Sequence, residues 1–347
     1  MKILFYSTKP FEIDYINNAN TNRLKIVFTE NALALNTVKK AEGFDTVCIF
    51  TNDDASKSVI KSLYSIGVKY IAIRATGYDN VDIETALKLK IKIANVPEYS
   101  PHAIAEHTIM MMLSLIRKSK ITDRQIQIHN FTIDNLIGFN INNKTVGIIG
   151  TGKIGSVVAK ILYGFGARII AYDIKPNAEI TKDYNVKYVD IETLCITADI
   201  ITIHTPLNHE TRYMINDKLL SKMKDKVIII NTARGAIVNT NDLLKHLRSK
   251  HVRGYGMDVY EHEKGVFYYN LSNKIIEDKQ LLELIENENV LVTPHQAFAT
   301  IEALQNIVDT TIYNFNRWNS NEFSINEILL NSKMSNTEKT LELTINK

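Results

Sequence analysis

Residues 145–173, TVGIIGTGKIGSVVAKILYGFGARIIAYD, decide the fold. Residues 145–149 form a short, apolar, β-branched run that reads as a strand buried on both faces. It leads straight into Gly150-Thr151-Gly152-Lys153-Ile154-Gly155, a match to G-x-G-x-x-G. Val157, Val158, Ile161, Leu162 and Phe165 then recur at helical spacing, Gly166 ends the helix, and residues 168–172 read as a second strand closed by Asp173. The three glycines have separate tasks. Gly150 permits the tight turn, Gly152 lets the backbone approach a pyrophosphate, and Gly155 lets the helix pack on the sheet. Phosphates are favoured at the helix N-terminus by free N–H groups and the dipole. Asp173 falls near the ~20-residue offset expected of a carboxylate that binds the adenosine ribose. A carboxylate there repels a 2′-phosphate, so the expected cofactor is NAD, with Lys175 close enough to soften the preference.

The chain has 347 residues, more than one comfortable core, so two domains are expected. A hydrophobic fraction of 45% and a charged fraction of 23% are ordinary for a globular protein. The net charge of +3, with no Lys/Arg stripe among aromatics, argues against nucleic acid. Cys48 and Cys195 stand alone in apolar segments, as free thiols of a reducing compartment would. No Cys/His/Asp spacing suggests a metal site. Residues 1–10 lack a signal-peptide pattern, and the most apolar helical segment, 103–116, is too short to span a bilayer. The expectation is a cytoplasmic protein with no membrane partner.

Strand-like runs at 3–6, 24–28, 46–50, 70–73 and 92–95 alternate with helical patterns at 32–40, 57–66 and 83–89, which means βαβ units and a parallel sheet. Residues 102–118 read as one long helix containing Met110-Met111-Met112, as core or as a subunit interface, and 119–143 as polar and irregular. Further strands are expected at 200–204, 226–231, 254–258 and 290–293. A last helix from Ala297 to about Trp318 returns to the first domain. The expected fold is α/β, two Rossmann-like doubly wound parallel-sheet domains with a cleft between them. Residues 1–98 plus 297–335 form a discontinuous substrate-binding domain, 99–296 the NAD-binding domain, and 336–347 a frayed tail.

Ligands of such sheets bind beyond the carboxyl ends of the strands. His204-Thr205-Pro206, Asn231-Thr232-Ala233-Arg234, Asp258 and Thr293-Pro294-His295 all fall there. Arg234 reads either as a surface arginine in a turn or as a fork gripping a substrate carboxylate. His295 reads as a satisfied loop histidine or an acid/base, and Glu263 as a solvated charge or its partner. Spacing alone leaves each pair of readings open.

Ordered blocks narrow them: YSTKP at 6–10, CIFTNDD at 48–54, GVKYIAIRATGYDNVD at 67–82, NVPEYSPHAIAEH at 95–107, NTARGAIV at 231–238, GMDVYEHEKGVFY at 256–268 and TPHQAFAT at 293–300. Together with GTGKIG they resemble the D-isomer-specific 2-hydroxyacid dehydrogenases over nearly the full length, and within them the bacterial fermentative D-lactate dehydrogenases. The resemblance implies reversible, NAD-dependent reduction of pyruvate to D-lactate. It assigns Arg234 to the substrate carboxylate, His295 to proton transfer, and Glu263 to a hydrogen bond that favours the imidazolium. It places Thr76 and Gly77 amides on the carboxylate, with Phe50, Tyr99 and Phe298 around the pocket. It assigns cofactor contacts to Gly150, Gly152, Lys153, Ile154, Gly155, Asp173, Thr205, Pro206, Thr211, Thr232, Ala233 and Asp258. Bulky Phe50 and Phe298 favour a small substrate over branched 2-keto acids. A phospho-substrate would need extra cations, for which Arg74 is the nearby candidate and reads as structural. Corepressors on the same scaffold keep an Arg/Glu/His set, but this chain lacks an evident peptide-docking insertion. Family members are homodimers or larger, so a homodimer or homotetramer is expected through the 102–118 helix. Closure of the lobes is expected about hinges near 97–102 and 297–298.

Overall fold

The structure, a computed structural model, describes residues 1–329, so the expected frayed tail lies outside the described residues. The described residues divide into two compact units, Met1–Tyr99 with residues 304–329, and Ser100–Ala303.

In the first unit, β1 (Lys2–Phe5), β2 (Lys25–Phe28), β3 (Thr46–Ile49), β4 (Tyr70–Ile73) and β5 (Lys92–Ala94) form a parallel sheet in the order β2-β1-β3-β4-β5. Alternate residues of each strand feed opposite faces. Ile3, Phe5, Cys48, Ala72 and Ala94 pack against Ile16, Val308, Ile312, Phe315 and Trp318. Leu4, Val47, Ile49, Ile71, Ile73 and Ile93 pack with Val59, Ile60 and Leu63. The helix Pro10–Ala19 between β1 and β2 has no counterpart among the helical patterns expected from sequence. It buries only Glu12 and Ile16, too sparse a stripe to show as periodicity. The expected helix at 32–40 is instead turns followed by a 3₁₀ turn, Val38–Ala41.

In the second unit, β6 (Thr145–Ile149), β7 (Arg168–Tyr172), β8 (Lys187–Tyr188), β9 (Ile200–Ile203), β10 (Val227–Asn231), β11 (Val252–Met257) and β12 (Val290–Val292) form a parallel sheet ordered β12-β11-β10-β9-β6-β7-β8. The order reverses between β6 and β9, the position at which doubly wound sheets bind ligands. One face carries the helices Pro101–Ile116 and Lys153–Gly164, through Ile109, Met111, Met112, Val158 and Leu162. The other carries Leu194, Leu243, Leu244, Leu247, Leu281 and Leu284. The segment expected to be irregular contains a helix, Ser119–Gln127, that buries no residue and so leaves no apolar stripe. The last helix begins at Ile301, later than expected. Residues 294–300 precede it as loop and carry His295 and Phe298.

Candidate active site

The glycine turn separates packing from ligand access. Gly150 has φ +91°, and a Cβ there would lie 2.7 Å from the His204 carbonyl carbon. A Cβ on Gly155 would sit 2.0 Å from the Gly150 oxygen, so the helix can approach the strand only as glycine. At Gly152 a Cβ would meet nothing within 4 Å. No protein atom demands glycine there, and what it keeps clear is the approach to the helix N-terminus, as a pyrophosphate requires. The residues fit NAD. Lys153 and Ile154 open the helix, and Gly152 caps it. Asp173, past β7, accepts from the Thr151 amide at 2.6 Å and hydroxyl at 3.1 Å and from the Lys175 amide at 2.8 Å, which fixes its carboxylate beside the turn. Tyr188 braces the same turn by donating to Thr151 at 2.8 Å.

Beyond β9, Thr205, Pro206 and Thr211 share one loop, where the Thr211 hydroxyl donates to the Pro206 carbonyl at 2.6 Å. His204 leads into it. Loss of solvent around its imidazole pushes it down to about 3, so the ring is neutral near pH 7 and adds no cation beside the turn. Past β10, the buried Asn231 side chain donates to the Arg234 carbonyl at 2.9 Å and accepts from the Ala233 amide at 3.1 Å, folding the 231–234 turn on itself. The Thr232 hydroxyl meets Thr108 at 2.9 Å. Arg234 donates to the Ala233 carbonyl at 2.8 Å. Gly235 follows because a Cβ there would stand 2.1 Å from the Tyr260 carbonyl carbon.

His295 and Glu263, distant in sequence, meet. Nδ1 of His295 lies 2.7 Å from Oε1 of Glu263, and the side chains are 15% and 14% exposed. The other Glu263 oxygen accepts from the Tyr260 amide at 3.0 Å, so the carboxylate cannot swing away freely. With Nδ1 engaged, Nε2 is the nitrogen left for proton transfer. Tyr268 donates to the His295 carbonyl at 2.7 Å.

Asp258 is buried behind this loop, with Oδ1 accepting from Thr293 at 2.6 Å and the Gln296 amide at 2.8 Å, and Oδ2 from the Ala297 amide at 3.0 Å. His107 Nε2 lies 3.0 Å from the Thr293 hydroxyl and 3.4 Å from Asp258. Burial alone would raise the Asp258 carboxyl; the His107 contact, the field of His295 and the Thr293 hydrogen bond outweigh it and hold the group below the ordinary carboxylate range. His107 and Tyr268 were not singled out from sequence. One lay in an apolar helix and the other in a loop, with no local signal tying either to His295.

The first unit holds the remaining expected residues except Phe298. Phe50, past β3, is 7% exposed. The Thr76 hydroxyl donates to the Val96 carbonyl at 2.9 Å beside Gly77. The Tyr99 carbonyl accepts from Asn306 at 2.6 Å. Phe298 is buried in the second unit. Arg74 faces no ligand position: it is 2% exposed and paired with Glu12. Among the described residues no cluster of His, Cys, Asp or Glu is arranged to hold a metal ion, and no helix is long and apolar enough to cross a membrane.

A glycine turn at the switch point of a parallel sheet, with a carboxylate-bound histidine at a strand end of the same sheet, defines a dinucleotide-dependent oxidoreductase. Residues 109–297 match the NAD binding domain of the D-isomer specific 2-hydroxyacid dehydrogenases. A putative D-lactate dehydrogenase of Dictyostelium discoideum is 41% identical over 324 residues, 93% of this chain and 95% of that protein. The apo-structure of D-lactate dehydrogenase from Escherichia coli matches with a TM-score of 0.82 at 38% identity, covering 95% of this chain and 100% of that one. D-lactate dehydrogenase from Aquifex aeolicus, complexed with NAD and lactic acid, matches with a TM-score of 0.83 at 30% identity, over 92% and 96%. The chain belongs to the D-isomer-specific 2-hydroxyacid dehydrogenase family and is an NAD-dependent oxidoreductase.

Proposed function

We propose that this protein is a D-lactate dehydrogenase that reduces pyruvate reversibly, with His295, Glu263 and Arg234 as its catalytic residues. The 2.7 Å His295–Glu263 contact carries the reading. NADH, when bound, supplies the hydride to C2 of the keto acid. Arg234 grips the carboxylate and polarises the carbonyl through its planar fork. His295 delivers a proton from Nε2 to the developing alkoxide, and Glu263 orients the ring through Nδ1 and stabilises the imidazolium. In the reverse direction neutral His295 accepts the proton. The Thr76 and Gly77 amides serve the carboxylate, and Phe50, Tyr99 and Phe298 restrict the side chain to a methyl. Handedness follows the D-lactate dehydrogenases that the chain resembles.

NADH absorbance followed with pyruvate, then NAD⁺ reduction with D-lactate and with L-lactate, tests this directly. Activity with pyruvate and D-lactate alone supports it. Tight NADH binding with no turnover of any of the three would move the reading to another keto acid. His295→Gln should lower kcat for pyruvate by about 10²-fold or more while NADH still binds. An unchanged kcat in that variant would remove His295 from the role.

The assembly is a homodimer or homotetramer in this reading, and the compartment is the cytoplasm, in keeping with two buried free thiols. The 101–116 helix buries Met111 and Met112 in its own unit, and of its three methionines exposes only Met110. Ile128, Phe131, Ile133 and Ile137 are 71–75% exposed on one segment, a better surface for a second copy of the chain.

A further inference from the structure

In the first unit, the turns beyond β1, β3 and β4 close over a buried set of charges. Arg74 follows β4 and is 2% exposed. Its Nε donates to Glu12 Oε2 at 2.9 Å and its Nη2 to Glu12 Oε1 at 3.1 Å, a two-pronged pair. The same Nη2 donates to the Tyr6 and Ser7 carbonyls at 2.8 and 3.1 Å, and Nη1 to the Cys48 carbonyl at 3.4 Å. One guanidinium thus ties β4 to the ends of β1 and β3. The guanidinium carbon also lies over two aromatic rings, 5.1 Å from the centre of Phe50 and 5.6 Å from that of Phe5. Asp53, 1% exposed, accepts from the Phe50 amide at 2.6 Å, the Leu33 amide at 2.7 Å and the Ser7 hydroxyl at 2.7 Å. Asn80 donates to the Phe50 carbonyl at 3.1 Å. Phe50 is therefore held at its amide, its carbonyl and its ring face.

We propose that the Arg74–Glu12 pair, with Asp53 behind it, is a positioning device that sets the Phe50 ring and thereby the size of keto-acid side chain the enzyme accepts. The proposal rests on the reading that Phe50 lines the keto-acid pocket. Burying an ion pair is a weak way to gain stability, since apolar residues of similar volume often serve as well. What an apolar pair cannot supply is the fork that orders three backbone carbonyls and sets a cation over the Phe50 ring. Ser7, whose carbonyl and hydroxyl both join the network, sits at φ +51°, so the turn after β1 is held in a conformation it would otherwise leave. A loosened clamp lets the Phe50 ring retreat and enlarges the pocket without touching the second unit's dinucleotide turn.

The test compares kcat/KM for pyruvate, 2-oxobutanoate and 4-methyl-2-oxopentanoate, with NADH affinity by fluorescence, in Phe50→Leu, Glu12→Gln, Arg74→Lys and the double variant Arg74→Met/Glu12→Met. The double variant removes both charges together and so avoids stranding a buried charge, as a single change can. Phe50→Leu is expected to move the ratio toward the branched acid by roughly tenfold, the scale of pocket discrimination by single carbon groups. Glu12→Gln, Arg74→Lys and the double variant are expected to move it in the same direction with NADH affinity unchanged. If Phe50→Leu shifts the ratio while all three clamp variants keep the wild-type value, the clamp is structural and the proposal falls. If Phe50→Leu itself leaves the ratio unchanged, Phe50 does not line the pocket and the proposal falls with that reading. Failure of every clamp variant to fold and bind NADH would make the pair a folding determinant and overturn the positioning role.

Discussion

His295 has φ +54°, an uncommon conformation for a residue with a side chain. Holding a residue there costs on the order of 1–3 kcal/mol unless its surroundings fix it. Its amide donates to the Asp258 carbonyl at 2.7 Å and its carbonyl accepts from Tyr268, while Asp258 holds the next two amides. Asp258 therefore has a structural task whatever it offers the cofactor. Its carboxyl, held below the ordinary range, loses its proton more readily in the folded chain than in the unfolded one. That stabilisation is complete above about pH 4 and drains as pH falls through the depressed native value. Asp258→Asn should lower the Tm at pH 7 and flatten its fall below pH 4, measured by thermal melts across that range. Glu263→Gln should lower kcat for pyruvate by about tenfold or more with NADH affinity retained, because the ring loses the carboxylate that orients it through Nδ1; an unchanged kcat would mean that Glu263 does not position the donor. The positions of Arg234, Asp258 and His295 at strand ends were legible in the sequence. That His295 meets Glu263 rested on resemblance, and that Glu12 meets Arg74 was not legible at all. Spacing along a chain gives a face or an end, and pairing across it is set by the fold.

The glycine turn shows a similar division between elements. Sequence spacing placed the strand, turn and helix within a few residues, because packing on both faces and the turn impose the pattern together. What it could not separate is which glycine serves the fold and which the ligand. Gly155→Ala drives a Cβ into backbone and should cost roughly 1–3 kcal/mol or more in folding stability, seen as a lower denaturation midpoint. Gly152→Ala meets no protein atom and should leave the midpoint unchanged while weakening NADH binding by about tenfold, or ~1.4 kcal/mol. Equal losses of stability in both variants would contradict the division. Two of the helices that the sequence did not disclose, Pro10–Ala19 and Ser119–Gln127, bury two residues and none, so periodicity had little to report there. The run at 32–40 erred the other way, its apolar residues feeding a turn-rich connection.

For the molecule as a whole, the exposed apolar side chains at 128, 131, 133 and 137 lead to one solution measurement. Phe131→Asp with Ile133→Asp should lower the mass found by light scattering toward 39.5 kDa, that of one chain. An unchanged mass would place the interface elsewhere.

The helix Ile301–Asn319 packs Val308, Ile312, Phe315 and Trp318 beneath β1, the first strand of the chain. During synthesis, Ile3 and Phe5 leave the ribosome long before those partners exist, whereas every strand of the second sheet is complete by Val292. Vectorial synthesis usually lets the N-terminal domain fold first. Here the order inverts: the NAD-binding unit can mature on the nascent chain while the N-terminal unit waits with one face of its sheet uncovered. Of the two units, the one that starts first is the last to be finished, and its wait is the interval in which chaperones have most to protect.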